Sequence, residues 1–291
     1  MFRSAYENDV TVFSPQGRLH QVEYAMEAVK LGTVTVGLKS EEYAVLIALN
    51  RPDPLMVDSE NGQQRKIMAI DSHIGISTAG LMADARRITK HLRSDCLSYN
   101  TAYQSSYPVA RLFQNLGIKL QSGTQTYDRR PYGVGILGAG YDDQGTHIFQ
   151  VMPSANVLNC KAMAIGARSQ GARSYLERHL KSFADCTKDQ LICHGIQAIR
   201  ASMGSEEPAT DLHINVAIVG KNTPFRALSD AENQQYYVMA KASGAPLTAT
   251  DNIEATDSTD PPEPSSPNAE EGTEGIDNND LPDTPSDGAN R

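Results

Sequence analysis

The order in which apolar spacing changes along this chain restricts its fold more than any single motif does. Leu19, Val22, Met26 and Val29 lie 3, 4 and 3 residues apart, the stripe of an amphipathic helix. Ser14-Pro15 just ahead offers that helix a cap and a first-turn proline. Strand-like patterning then occupies 33–38, 43–49, 67–70 and 73–78. Helical spacing returns near Gly80, where Leu81, Ala85, Ile88 and Leu92 are 4, 3 and 4 apart. It returns again over 108–120, with Val109, Leu112, Phe113 and Leu116 facing inward. The second half repeats the theme: strands at 132–140, 147–152 and 161–165, helices near 167–181 and 188–202, then strands at 214–219 and near 225–228. Strands in runs, then paired helices, then strands again fit an α+β fold better than an alternating parallel sheet. Two facing sheets with helices on both outer faces account for the order.

Charge divides the chain further. The net charge of the 291 residues is -9, but 242–291 carries 12 Asp/Glu against a single Lys/Arg. The other 241 residues hold 25 basic and 23 acidic side chains, a balance of +2. The acidic segment also contains 7 of the 15 prolines and no aromatic residue. It cannot bury enough apolar surface to offset the entropy of ordering its backbone, so it is expected to be disordered. Residues 1–241 then form one folded domain. Two uses of 242–291 stay open: a solvating tail, or a phosphorylation or docking segment using Ser266-Pro267 or Thr284-Pro285.

Several function classes fall away. A near-neutral body lacks the clustered Lys/Arg that displaces counterions from phosphates, so no nucleic-acid partner is expected. No apolar run approaches the ~18 residues of a membrane span, so no membrane partner is expected either. The first nine residues lack a signal-peptide core. Cys96, Cys160, Cys186 and Cys193 show neither CxxC nor finger spacing and read as reduced thiols in a reducing compartment. The seven histidines include no HExxH pair, so no metal is expected.

Gly133-Val134-Gly135-Ile136-Leu137-Gly138 matches GxGxxG, yet it lies inside a strand pattern ending in a turn at 141–145. No acid occurs between Asp143 and Glu177 to meet a ribose. The glycines read as sites of close backbone approach, and no cofactor is expected. Arg86, Arg87, Lys90 and Arg93 read as the solvated face of one helix, and Arg129-Arg130-Pro131-Tyr132 as structural contacts at a strand entry.

The segment 13–29, Phe-Ser-Pro-Gln-Gly-Arg-Leu-His-Gln-Val-Glu-Tyr-Ala-Met-Glu-Ala-Val, resembles the signature of proteasome alpha-type subunits. The resemblance continues through Gly80-Leu81-Met82-Ala83-Asp84-Ala85-Arg86, Arg130-Pro131-Tyr132-Gly133-Val134 and Ala164-Ile165-Gly166-Ala167-Arg168-Ser169-Gln170. It covers the body to about Gly220.

This resemblance implies a four-layer α/β/β/α sandwich of two antiparallel sheets, shared with N-terminal-nucleophile hydrolases. It implies a hetero-heptameric ring of alpha subunits stacked on beta subunits that carry the proteolysis. The chain would then be a non-catalytic structural and gating subunit of the 20S core, serving ubiquitin- and ATP-dependent protein degradation in cytoplasm and nucleus. By the same resemblance residues 1–12 belong to the pore gate, with Tyr6, Glu7, Pro15 and Tyr24 as its cluster. Tyr6-Glu7-Asn8 stands where many alpha subunits have Tyr-Asp-Arg. A pocket for the C-terminal tails of a regulatory particle or other activators maps to Lys66, Gly32, Glu23 and Leu81. An ammonium at Lys66 suits an incoming terminal carboxylate. Without the family, Lys66 reads as a solvated residue at a strand start.

The alternative is an active threonine protease. Cleavage at Gly32-Thr33 would free an amine to act as base for the Thr33 hydroxyl. The family's active site also needs an acid about sixteen residues downstream and a lysine about thirty-two downstream. The first position falls at Leu49 or Asn50, neither a carboxylate; the second falls at Arg65 or Lys66. Cleavage would also discard the whole signature helix.

Overall fold

A computed structural model describes residues 6–50, 66–203 and 213–243. In chain order the elements are α1 (His20–Leu31), β1 (Thr35–Lys39), β2 (Tyr43–Asn50), β3 (Ile67–Asp71), β4 (Ile74–Gly80), α2 (Met82–Tyr103), α3 (Val109–Gln125) and β5 (Val134–Asp142). They continue with β6 (Gly145–Val151), β7 (Val157–Cys160), β8 (Ala162–Ile165), α4 (Ser169–His179), α5 (Lys188–Ser202), β9 (His213–Gly220), β10 (Thr223–Ala227) and α6 (Asp230–Ser243). Two five-stranded sheets result, ordered β10-β9-β2-β1-β8 and β3-β4-β5-β6-β7, with every pairing antiparallel.

Alternation within strands builds the four layers. On β2, Val45, Ile47 and Leu49 pack outward with Leu191, Ile192 and Ile196 of α5, while Ala44, Leu46 and Ala48 face the second sheet. A strand apolar on both faces belongs in the middle of a stack, and β2 lies third of five. On β5, Val134 and Ile136 join a core with Ile88, Leu92, Leu112 and Phe113 of α2 and α3, whereas Leu137 and Ala139 point between the sheets. The expected sandwich is therefore present, with α4, α5 and α6 on one outer face and α2 and α3 on the other.

The GxGxxG motif is consumed by this packing. A Cβ on Gly138 would stand 1.9 Å from the Phe113 ring, so the bare backbone is what lets α3 seat on the sheet. Arg86, Arg87, Lys90 and Arg93 are exposed along α2, as expected. Arg130 forks onto the buried Asp84 carboxylate at 2.7 and 2.9 Å, and the Gly133 N–H adds a third bond at 3.0 Å. Those bonds hold the Asp84 carboxyl below its ordinary range, despite burial acting the other way.

One local expectation fails. Ser14-Pro15 does not cap α1, whose N-cap is Leu19 with no side-chain cap bond. Ser14 instead closes a turn: its N–H donates to the Arg18 carbonyl at 2.9 Å, and its Oγ accepts from the Arg18 N–H at 3.1 Å. Gly17 at φ +75 makes that turn and delays the helix until His20. Two elements also lay outside the apolar pattern, β7 and α6. The expected acidic segment 242–291 lies, beyond Ser243, outside the described residues, as do the first five residues of the expected gate segment.

Candidate functional site

The α1 end of the sandwich collects most of the residues singled out above. Helix α1 packs across this end, with Val29 buried among residues from both sheets. The chain then passes Gly32 and Thr33 into β1. At Gly32 a Cβ would lie 2.3 Å from the Gly80 nitrogen, so only glycine lets the two segments approach this closely. The Gly32 carbonyl accepts from the Ala167 N–H at 2.7 Å. The Leu81 N–H donates to the Gly133 carbonyl at 2.9 Å, and its side chain is half-exposed.

Lys66 is at the centre of this junction. It is buried rather than solvated as its position in the sequence suggested. The reason is tertiary: its Nζ donates across the two sheets to the Thr33 carbonyl at 2.7 Å and also meets Thr33 Oγ1. The Thr33 hydroxyl in turn donates to the Leu49 carbonyl at 2.8 Å. No carboxylate among the described residues pairs with the ammonium, and burial alone lowers its pKa to about 8. A buried cation without an acidic partner is expensive in stability and marks a candidate functional position.

The threonine-protease geometry is only half assembled here. A lysine does touch the threonine hydroxyl, as the spacing to Lys66 allowed. The position sixteen residues on, however, supplies a main-chain carbonyl instead of a carboxylate.

The remaining site residues lie along α1 and the segment before it. Glu23 pairs with Arg18, whose Nε donates to its two carboxylate oxygens at 2.9 and 3.1 Å. That bond holds the Glu23 carboxyl below its usual range. Tyr24 is half-exposed and stacks on His20 with ring centroids 6.1 Å apart. The Glu7 carbonyl accepts from the Gln21 side chain, which ties the N-terminal segment to α1. Pro15 occupies the Ser14–Arg18 turn. The structure thus gathers Lys66, Gly32 and Leu81 at one junction and ties Glu7 to the helix carrying Glu23 and Tyr24. Sequence reasoning missed that Gly80 and Gly166 complete the junction; both have positive φ, at +117 and +100, in glycines flanked by apolar residues.

A family model described as "Proteasome subunit" matches residues 29–219, and a second, the N-terminal signature of A-type proteasome subunits, matches residues 6–28. The chain belongs to the proteasome subunit family, alpha type. The alpha type-1 proteasome subunit of Drosophila melanogaster is 57% identical over 244 residues, 83% of this chain and 86% of the relative. The alpha type-1 proteasome subunit of Caenorhabditis elegans is 47% identical across 80% of this chain and 88% of its own length. The alpha type-6 proteasome subunit of Saccharomyces cerevisiae is 45% identical, covering 82% of this chain and all of the relative. The matched signature spans the turn at Ser14, the Arg18–Glu23 pair and most of α1. As an alpha-type proteasome subunit the chain assembles with other proteasome subunits.

Proposed function

We propose that this subunit is non-catalytic and acts in the hetero-heptameric alpha ring of the 20S core as scaffold, part of the pore gate and docking point for activator tails. Its partners in this reading are the other alpha subunits, the beta subunits and a regulatory particle or other activator, in ubiquitin- and ATP-dependent degradation in cytoplasm and nucleus. The single observation that carries the docking role is the Lys66 ammonium, buried without a carboxylate beside Gly32 and Leu81. A terminal carboxylate reaching this junction would supply the missing counter-charge. Absence of catalysis is supported by the Leu49 carbonyl standing where the threonine-protease site needs an acid. Residues 1–12, with Tyr6, Glu7, Pro15 and Tyr24, are the gate contribution, supported by the bond from Gln21 to the Glu7 carbonyl. Residues 242–291 are a solvating appendage to the domain 1–241.

The test is Lys66→Ala in the assembled particle. Activator-stimulated peptide hydrolysis should fall severalfold while the particle's mass and unstimulated hydrolysis stay the same. Undiminished stimulation would refute the docking role.

A further inference from the structure

A second feature of the α1 end borders the junction described above and shares Val29 and Gly166 with it. A cavity of about 500 Å³ opens between α1, the β6–β7 hairpin and the start of α4. Its size is that of a pocket receiving a few side chains. Three cations line it, Lys30, Arg168 and Arg173, and among the described residues no acid does. Lys30 is engaged with Glu27 at 2.6 Å, and Arg173 is fixed through Nε to the Ala164 carbonyl at 2.9 Å. Helix α4 begins at this wall, after Arg168 in the left-handed conformation (φ 51), without a side-chain cap. Its first-turn N–H groups add positive potential to the cavity.

An independent observation points to an occupant. Gln150 is 6% exposed and lines the cavity. It shares the face of β6 that carries Ile148 into the gap between the sheets, opposite the face of Phe149 and Val151. Its side-chain amide has no hydrogen-bond partner among the described residues. Its amide opens onto the cavity, where a group entering from outside the chain can bond it. The rim carries apolar surface as well, with Leu158 at 44% exposure beside Met152 and Met26.

We propose that this cavity receives an acidic side chain, carried with an adjacent apolar residue, from a neighbouring subunit of the particle. The carboxylate meets the Arg173 guanidinium and the start of α4, the Gln150 amide bonds the incoming main chain, and the apolar residue covers Leu158. A protein segment suits this mixture better than a small anion, which would leave the apolar rim exposed. The inference rests on the chain's assembly with other proteasome subunits.

The test places the photoreactive residue p-benzoylphenylalanine at Leu158 in the full chain within the assembled particle. The expected result is a crosslink to one segment of a neighbouring subunit that contains Asp or Glu next to an apolar residue. Absence of any crosslink to a neighbour, or a crosslinked segment lacking an acid, overturns the proposal. Co-migration with the particle is read separately, so failed assembly and a wrong contact are distinguished. Arg173→Glu should lower incorporation into the particle by about tenfold, and replacing the mapped acid with Arg should restore it. Unchanged incorporation, or no restoration by the reversed pair, also overturns it; should Arg173→Glu not fold, the crosslink still decides.

Discussion

The gap between the two sheets is stitched at both ends by a lysine, and the two stitches differ. At the α1 end, Lys66 reaches from the start of β3 to Thr33 ahead of β1. At the far end, Lys39 on β1 donates to the Thr146 carbonyl on β6 at 2.7 Å, and the Thr146 hydroxyl returns a bond to the Ser40 carbonyl at 2.6 Å. Burial lowers both lysine pKa values. Lys39, however, is only half-buried and participates in a reciprocal pair of bonds, the arrangement of a structural clasp. Lys66 is buried deeper, its pKa reaches about 8, and glycines at 32, 80 and 166 crowd its surroundings. A clasp alone does not require so costly a cation. The contrast separates an end closed by bonds in both directions from an end that buries an ammonium against main-chain and hydroxyl oxygens alone.

The largest expected effect tests the crowding. Gly32→Val sets a side chain against the Gly80 backbone and should destabilise the fold by about 3 kcal/mol. Gly145→Ala, in the turn at the far end, meets no atom within 4 Å and strains only the backbone at φ +99. It should cost about 1 kcal/mol. Urea unfolding measures both, and equal effects would erase the distinction between the ends. Next comes the fork at the α1 end. Asp84→Asn should cost about 2 kcal/mol at neutral pH, limited because the Arg130 side chain is mostly exposed. Since the folded-state pKa of Asp84 is lowered, its contribution is present above the ordinary carboxylate value and is lost as pH falls through the depressed one. An acid-side loss of stability that the variant does not share checks this.

The lysines themselves give smaller and opposite results. Lys39→Met removes a clasp bond and should cost about 1 kcal/mol. Lys66→Met removes a buried cation and should change stability by less than about 0.5 kcal/mol. A larger loss at Lys66 than at Lys39, seen in the same denaturation series, would make Lys66 the structural clasp. The remaining effect is the pH slope of the parent chain. With a folded pKa of about 8 against a higher value when unfolded, the folded state holds fewer protons in that interval. Stability should therefore rise from about pH 8 toward the ordinary lysine value, and Lys66→Met should flatten that rise.

Much of the fold could be read before any coordinates. The predicted span 188–202 coincides with α5, where Thr187 and Gln190 form a capping box that sharpens the start. The predicted strand 43–49 coincides with β2, which the structure buries on both faces. What escaped notice had weak apolar pattern. β7 is a four-residue edge strand with no buried side chain. α6 carries a first turn of acids, but Ser229 and Glu232 bond reciprocally there, with Ser229 N–H to Oε2 at 2.8 Å and Glu232 N–H to Oγ at 3.4 Å. That Ser-x-x-Glu spacing, followed by Asn233, Tyr237 and Ala240 on one buried face, was a legible signal. At the site the letters were visible and the environment was not. Lys66 precedes a strand like many solvated lysines, and only the meeting of two sheets buries it. Its contact with Thr33 spans 33 residues, a separation over which local periodicity carries no information.

The central claim is that α1 and the Gly32–Thr33 bond persist in the working particle, so that Thr33 never becomes a nucleophile. Intact-mass and N-terminal analysis of this protein released from the native particle tests it most directly. The account predicts a chain that retains the signature helix and yields a peptide spanning Gly32 and Thr33. A mature chain beginning at Thr33 would contradict it and make the Lys66–Thr33 contact the core of an active site.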